Sequence, residues 1–150
     1  MRSLRATAKS KRRHFEKVKA MADYQVNVRY MVNDVEASVA WYTENLGFKL
    51  LSKVAPAFAD VERGPLRLLL SGEKSSAGRP MPDGAKPGPG GWNRFELVVD
   101  DIKAEVERLR GLGVKFRNDI ITGPGGSQVL IEDPSGNYIE LFQPAAQRKA

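Results

Sequence analysis

The sequence predicts an α+β domain made of two tandem copies of a β-α-β-β-β unit. An alternating, β-rich segment leading into an Asp-capped helix occurs twice, in QVNVRYMVND (25–34) and in RFELVVDD (94–101). The second lies 67 residues after the first, with Arg94 at the place of Asn27 and Asp101 at the place of Asp34. Near the end of each copy, Gly64-Pro65-Leu66-Arg67-Leu68 lies over Gly136-Asn137-Tyr138-Ile139-Glu140 at an offset of 72. Between the copies, residues 72–91 hold six of the 14 glycines and four of the nine prolines, the composition of a linker or a lid. Duplication of this kind settles the architecture before any motif is considered.

The elements follow in order. Residues 25–32 alternate as a strand. Asp34 caps the helix VEASVAWYTENL, whose Val35, Val39, Tyr42 and Leu46 form one apolar stripe, and Gly47 closes it. Tyr42 falls on that stripe and Trp41 flanks it, so both are expected to pack in the core. FKLLSKV, AFADVE and LRLLLS read as three strands, with turns at Ala55-Pro56 and Gly64-Pro65. The second copy repeats this. IKAEVERLRGLG is an amphipathic helix ended by Gly111 or Gly113, and VKFRN, SQVLIED and YIELFQP are strands. GPGG (Gly123–Gly126) lacks the Lys-Ser/Thr of a phosphate loop and precedes a strand, so it is a turn, as is DPSGN (Asp133–Asn137). The charged face around Lys103, Glu105, Glu107, Arg108 and Arg110 is an ordinary solvated one.

The 150-residue chain, 41% hydrophobic, suits one domain and contains no run near the ~20 apolar residues of a membrane span. It has no cysteine, which excludes disulfides, thiolate catalysis and Cys-ligated metals, and its one histidine is His14. The net charge of +6 belongs to one end. Residues 1–20 carry eight basic groups against Glu16, whereas the remainder carries 16 basic and 17 acidic groups. A nearly neutral body without a basic, aromatic-laced face is not expected to bind nucleic acid. The basic segment has no apolar h-region; it reads as a disordered or marginally helical extension, a targeting or anionic-surface segment, or translation from upstream of a start at Met21. The expected division is an extension at 1–22, a domain at 23–145 (module one 23–71, linker 72–91, module two 92–145) and a tail at 146–150. A cytoplasmic setting without a membrane partner is expected.

VRYMVNDVEASVAWYTENLGFKL and DPSGNYIELFQP resemble the first module and the last strand of the vicinal oxygen chelate superfamily. That superfamily includes glyoxalase I, extradiol dioxygenases and bleomycin-resistance proteins. The resemblance spans about residues 24–144. It implies paired βαβββ modules whose strands form a U-shaped mixed sheet around a cavity, and it implies a homodimer. Metal-dependent members hold a divalent ion with four strand residues, which by resemblance are Asn27, Arg94, Leu68 and Glu140. Only Glu140 matches the superfamily's pattern.

Chemistry argues against an ion at those four positions. Arg94 is a permanent cation without an acceptor and Leu68 has no donor atom. An Arg94–Glu140 ion pair across the cavity is expected instead, with no metal and no cofactor. Arg29 and Glu96, two residues on from Asn27 and Arg94, share their faces. Arg67 and Ile139 should point away from Leu68 and Glu140. Trp92, taken as the start of a strand at the cavity mouth, is expected to serve in packing or in ligand stacking; Phe58 and Phe142 are cavity or core residues. The candidate ligand-binding set is thus Asn27, Arg29, Leu68, Trp92, Arg94, Glu96 and Glu140, with Glu140 also the candidate catalytic base. The expected function is metal-independent binding and sequestration of an unidentified small molecule. The alternative is a lyase, isomerase or dioxygenase using Glu140 as base or metal ligand.

Overall fold

The computed structural model describes residues 10–13 and 26–146. Of the basic segment only Ser10–Arg13 are described, as a helical turn; the expectations for the rest of residues 1–22, including His14, lie outside the described residues.

Each half of the sequence folds as its own sheet with one long helix. In the first, β1 (Val26–Met31), α1 (Val35–Leu46), β2 (Lys49–Val54), β3 (Phe58–Arg63) and β4 (Leu66–Ser71) give a four-stranded sheet of order β1-β4-β3-β2. In the second, β5 (Phe95–Val98), α2 (Ile102–Gly111), β6 (Lys115–Phe116), β7 (Ile121–Gly123), β8 (Gly126–Glu132) and β9 (Tyr138–Pro144) give the order β5-β9-β8-β6. The α+β class and the paired modules are as expected. β7, which the sequence did not announce, pairs with β8 across the GPGG turn. In both sheets the first strand lies parallel to the last and every other pairing is antiparallel.

The helix signals work as the sequence implies. Asp34 Oδ1 accepts from the Ala37 amide at 3.0 Å and Asp101 Oδ1 from the Ala104 amide at 3.1 Å, each satisfying a donor that the first turn leaves unpaired. Gly47 ends α1 at φ 67°, a left-handed conformation that a Cβ would penalise. The linker contains a single short 3-10 turn, Ser76–Gly78.

Alternation then sorts each sheet into a helix-covered face and an open face. Tyr30, Ala59, Val61, Leu68 and Leu70 of the first sheet and Phe95, Leu97, Val129, Ile131, Ile139 and Leu141 of the second are buried in one core with both helices. Aromatic packing crosses the module boundary, with Phe95 5.3 Å from Tyr30 and 6.2 Å from Phe48 between ring centroids. Polar contacts cross it too. The Tyr30 hydroxyl donates to the Tyr138 carbonyl at 2.5 Å and accepts from the Phe95 amide at 3.3 Å; burial pushes its pKa up to about 12.

The DPSGN turn is a hub as well as a chain reversal. Asp133 Oδ1 accepts from the amides of Ser135 and Asn137, and its Oδ2 accepts from the Tyr42 hydroxyl at 2.8 Å and from Asn137 Nδ2 at 3.0 Å. Asn137 in turn donates to the Met31 carbonyl at 2.9 Å, and its Oδ1 accepts from the Gly90 amide at 2.8 Å. One turn of module two thereby satisfies the buried Tyr42 hydroxyl of α1 together with backbone groups of β1 and the linker.

Candidate functional site

The strand pairing decides which side chains share a face. Asn27 faces Arg67 in register, Arg29 faces Leu69, and Val28 faces Leu68. Odd-numbered residues of β1 and β4 are therefore on the open face, while Leu68, fully buried, belongs to the core under α1. In module two Glu96 faces Glu140, and Phe95 faces Ile139. Glu140 is thus equivalent to Leu69. One expectation is corrected: Leu68 does not join Asn27. Arg67 points away from Leu68 and Ile139 away from Glu140, as expected, and this puts Arg67 on the open face beside Asn27. Gly64 and Gly136 do match as turns, both with positive φ. Beyond them, however, β4 and β9 meet β1 and β5 one residue out of step, and a slip of one residue exchanges the two faces.

Arg94 and Glu140 form the expected ion pair. Arg94 Nε and Nη2 each lie 2.8 Å from Glu140 Oε2. Arg94 precedes β5 and Glu140 is on adjacent β9, so the pair binds neighbouring positions of one sheet and does not span a cavity. Arg94 Nη1 also donates to the Trp92 carbonyl at 3.1 Å. Glu96 stands beside Glu140 on the same face. Burial, followed by the neighbouring Glu140 carboxylate, raises the Glu96 pKa above the usual carboxyl range.

Trp92 is not in a strand, since β5 begins three residues later at Phe95. Its indole is 63% exposed and stacks on Tyr138 at 5.1 Å between centroids, with the Arg117 guanidinium carbon 5.9 Å from its ring. This places an aromatic plane beside the Arg94–Glu140–Glu96 cluster, a geometry suited to stacking.

Module one carries a second clamp on its open face. Arg67 Nε and Nη2 lie 2.7 and 2.6 Å from Asp60 Oδ2, and Ser52 Oγ donates to Asp60 Oδ1 at 2.5 Å. Burial works to raise the Asp60 pKa, but these hydrogen bonds and the Arg67 charge outweigh it and hold the carboxyl below its ordinary value. Asp60, Arg67, Leu69, Ser71, Tyr138 and Arg117 are the residues the sequence reasoning missed. The alternation of Ala59 and Val61 with Phe58, Asp60 and Glu62 was the available signal, because it already puts Asp60 opposite the core. Phe58 and Phe142 are half-buried, and register places them on the open faces.

The residues present do not fit a divalent ion. The Glu140 carboxylate is clamped by the Arg94 guanidinium, its equivalent in module one is Leu69, and Asn27 offers one neutral oxygen from an exposed position. Among the described residues no three of His, Cys, Asp and Glu converge to hold a metal. The candidate residues also lie on open surface: Asn27, Arg29, Trp92, Arg94 and Glu96 are all exposed. One cavity of about 540 Å³ lies at the other end of β5 and β9, lined by Val98, Asp100, Gln143 and Pro144.

Residues 24–141 match the model of the Glyoxalase/Bleomycin resistance protein/Dioxygenase superfamily. The chain belongs to that superfamily. It is 33% identical over 124 residues to the uncharacterized protein YwbC of Bacillus subtilis, covering 75% of this chain and 91% of that one. It is 26% identical over 144 residues to a lactoylglutathione lyase of Pseudomonas putida, covering 75% and 80%. Among solved structures, TnmS3, an antibiotic binding protein from Streptomyces sp. CB03234, superposes with a TM-score of 0.62 at 28% identity, covering 81% of this chain and 95% of that one. Among the described residues no helix is long and apolar enough to cross a membrane.

Proposed function

We propose that this superfamily member binds a small molecule without a metal ion and sequesters it without transforming it. The observation that carries the reading is the two-donor Arg94 clamp on Glu140, which occupies the carboxylate a metal or a base mechanism would need. The ligand then lies along the open sheet faces, against the Trp92–Tyr138 stack and among Asn27, Arg29, Arg94, Glu96 and Glu140. The likeness to an antibiotic binding protein supports binding as the activity. The likeness to a lactoylglutathione lyase keeps a Glu140-based reaction as the competitor, and the clamp weighs against it. The protein's partners in this reading are the unidentified small molecule and a second copy of the chain in a homodimer; exposed apolar residues on the open faces, Val54 and Val98, support pairing, and light scattering measures it. A chain without cysteine suits a cytoplasmic setting.

The test combines metal analysis with a thermal-shift screen. The purified protein is expected to contain no stoichiometric zinc, nickel, manganese or iron and to keep its Tm in chelator. Aromatic small molecules, with and without an acidic group, are expected to raise the Tm, because a ligand of the folded state stabilises it by RT ln(1 + [L]/Kd). Stoichiometric metal with a chelator-sensitive Tm overturns the reading.

A further inference from the structure

Beside Arg117, which lies against Trp92 and Tyr138, three arginines share the open faces, and one of the three is held differently. Arg67 commits its Nε–Nη2 edge to Asp60, and Arg94 commits the same edge to Glu140. Arg29 is held from the other side. Its Nη1 donates to Oγ of fully buried Ser71 at 2.7 Å, and no carboxylate among the described residues accepts from its Nε–Nη2 edge. That edge is the planar pair of donors that matches two oxygens of a carboxylate or phosphate. A hydroxyl fixed in the sheet already restricts the Arg29 side chain, which reduces the ordering cost of capturing a ligand.

The surroundings favour an anion. Asn27 sits two residues back on the same strand and face, opposite Arg67, and supplies an amide donor. Arg29, Arg67 and Lys49 share this face with Asp60 and Glu62, which leaves one positive charge in excess. Glu62 lies opposite Lys49 and Arg67, two strands away from Arg29. The equivalent of Arg29 in module two is Glu96, so the modules present opposite charges at matching positions.

We propose that Arg29, with Asn27 beside it, anchors the carboxylate or phosphate group of the small molecule this protein binds. The proposal rests on the reading of the open faces as the ligand-binding surface. Its test uses inorganic phosphate and acetate, each titrated at constant ionic strength against chloride, followed by Tm in every variant and by the Arg29 Nε–Hε NMR signal in the unaltered protein.

Saturable shifts are expected in the unaltered protein, with affinity weaker by at least about tenfold in Arg29→Gln. Arg29→Lys keeps the charge and loses the fork, so it should lose preference for either oxyanion over chloride. Arg79→Gln, on the exposed linker, should bind as the unaltered protein does. Comparison of the phosphate and acetate arms identifies which oxyanion the fork prefers. Equal responses in the unaltered protein and Arg29→Gln, meaning an adventitious ion only, overturn the proposal, as does the absence of saturable binding. If only uncharged compounds bind the metal-free protein, this proposal fails while the binding reading stands. Metal at Glu140 together with Arg29-dependent phosphate binding gives the reverse.

Discussion

The two modules are alike on the face each turns to its helix and unlike on the face each turns away. Beneath the helices, Tyr30, Leu68 and Leu70 stand where Leu97, Ile139 and Leu141 stand in the second copy, all of them buried. On the open faces the matching positions carry Asn27 and Arg94, Arg29 and Glu96, Leu69 and Glu140. Burial stabilises by about 25 cal/mol per Å² of apolar surface, so any polar substitution beneath a helix is penalised. No comparable term acts on an exposed face. The duplication therefore repeats its core while its two open faces bear different chemistry, and the second face alone combines a clamped carboxylate, a second carboxyl and an aromatic stack.

The most forceful way to break this comparison is to move one residue along β4. Leu68→Ala removes a fully buried side chain and should cost about 2–5 kcal/mol, whereas Leu69→Ala, on the half-buried open face, should cost under about 1.5 kcal/mol. Urea unfolding midpoints measure both. Costs of equal size would mean that the faces are assigned in the wrong register and that Leu68, not Leu69, corresponds to Glu140.

The architecture was legible because its signals are local. Asp34, Asp101 and Gly47 act within a few residues of themselves, and the repeated strand–helix pattern places them without any long-range information. The Arg94–Glu140 pair was legible as well, since a fixed cation beside the last strand's carboxylate has few other ways to be neutralised. Register was not. Gly64 and Gly136 mark where the chain reverses, but strand pairing is set by the packing of Leu68 and Ile139 beneath the helices, which no turn residue reports. Ser71 was illegible for a related reason: a hydroxyl in LRLLLS carries no signal of its role until Arg29 on the neighbouring parallel strand reaches it. Trp92 was misplaced because an aromatic before β-rich residues reads as strand, whereas its stack on Tyr138 is a tertiary contact.

A smaller effect sharpens the comparison where the modules meet. Tyr42 and its counterpart Leu109 are both fully buried on their helices, yet only Tyr42 has a hydroxyl, and it reaches Asp133 in the other module. Burial, together with the Asp133 carboxylate, pushes that hydroxyl's pKa well up, so it remains a proton donor at any ordinary pH. Tyr42→Phe keeps the ring packing and leaves Asp133 Oδ2 with Asn137 Nδ2 as its remaining donor. It should cost about 1–3 kcal/mol in denaturant unfolding, with no change at the Trp92–Tyr138 stack. A cost near zero would show that the turn hub does not hold the modules together.

The smallest expected difference is in how the two open faces answer to acid. Asp60 has its pKa lowered in the folded protein, so its clamp contributes fully above the unfolded value near 3.9 and is lost as pH falls through the lower folded value. Glu96 is the opposite case: with its folded pKa raised, the fold gains relative stability below the unfolded value near 4.3 and loses it as pH rises through the folded value. Urea unfolding between about pH 3 and pH 7 separates the two. Asp60→Asn should flatten the loss of stability at the acid end and leave the neutral region's slope alone. Glu96→Gln should remove the gain on acidification from neutrality and should not lower stability at pH 7, because it removes a carboxylate crowded against Glu140. Matching pH profiles for the two variants would mean that the modules' open faces do not differ electrostatically, and the contrast between Arg29 and Glu96 would lose its physical basis.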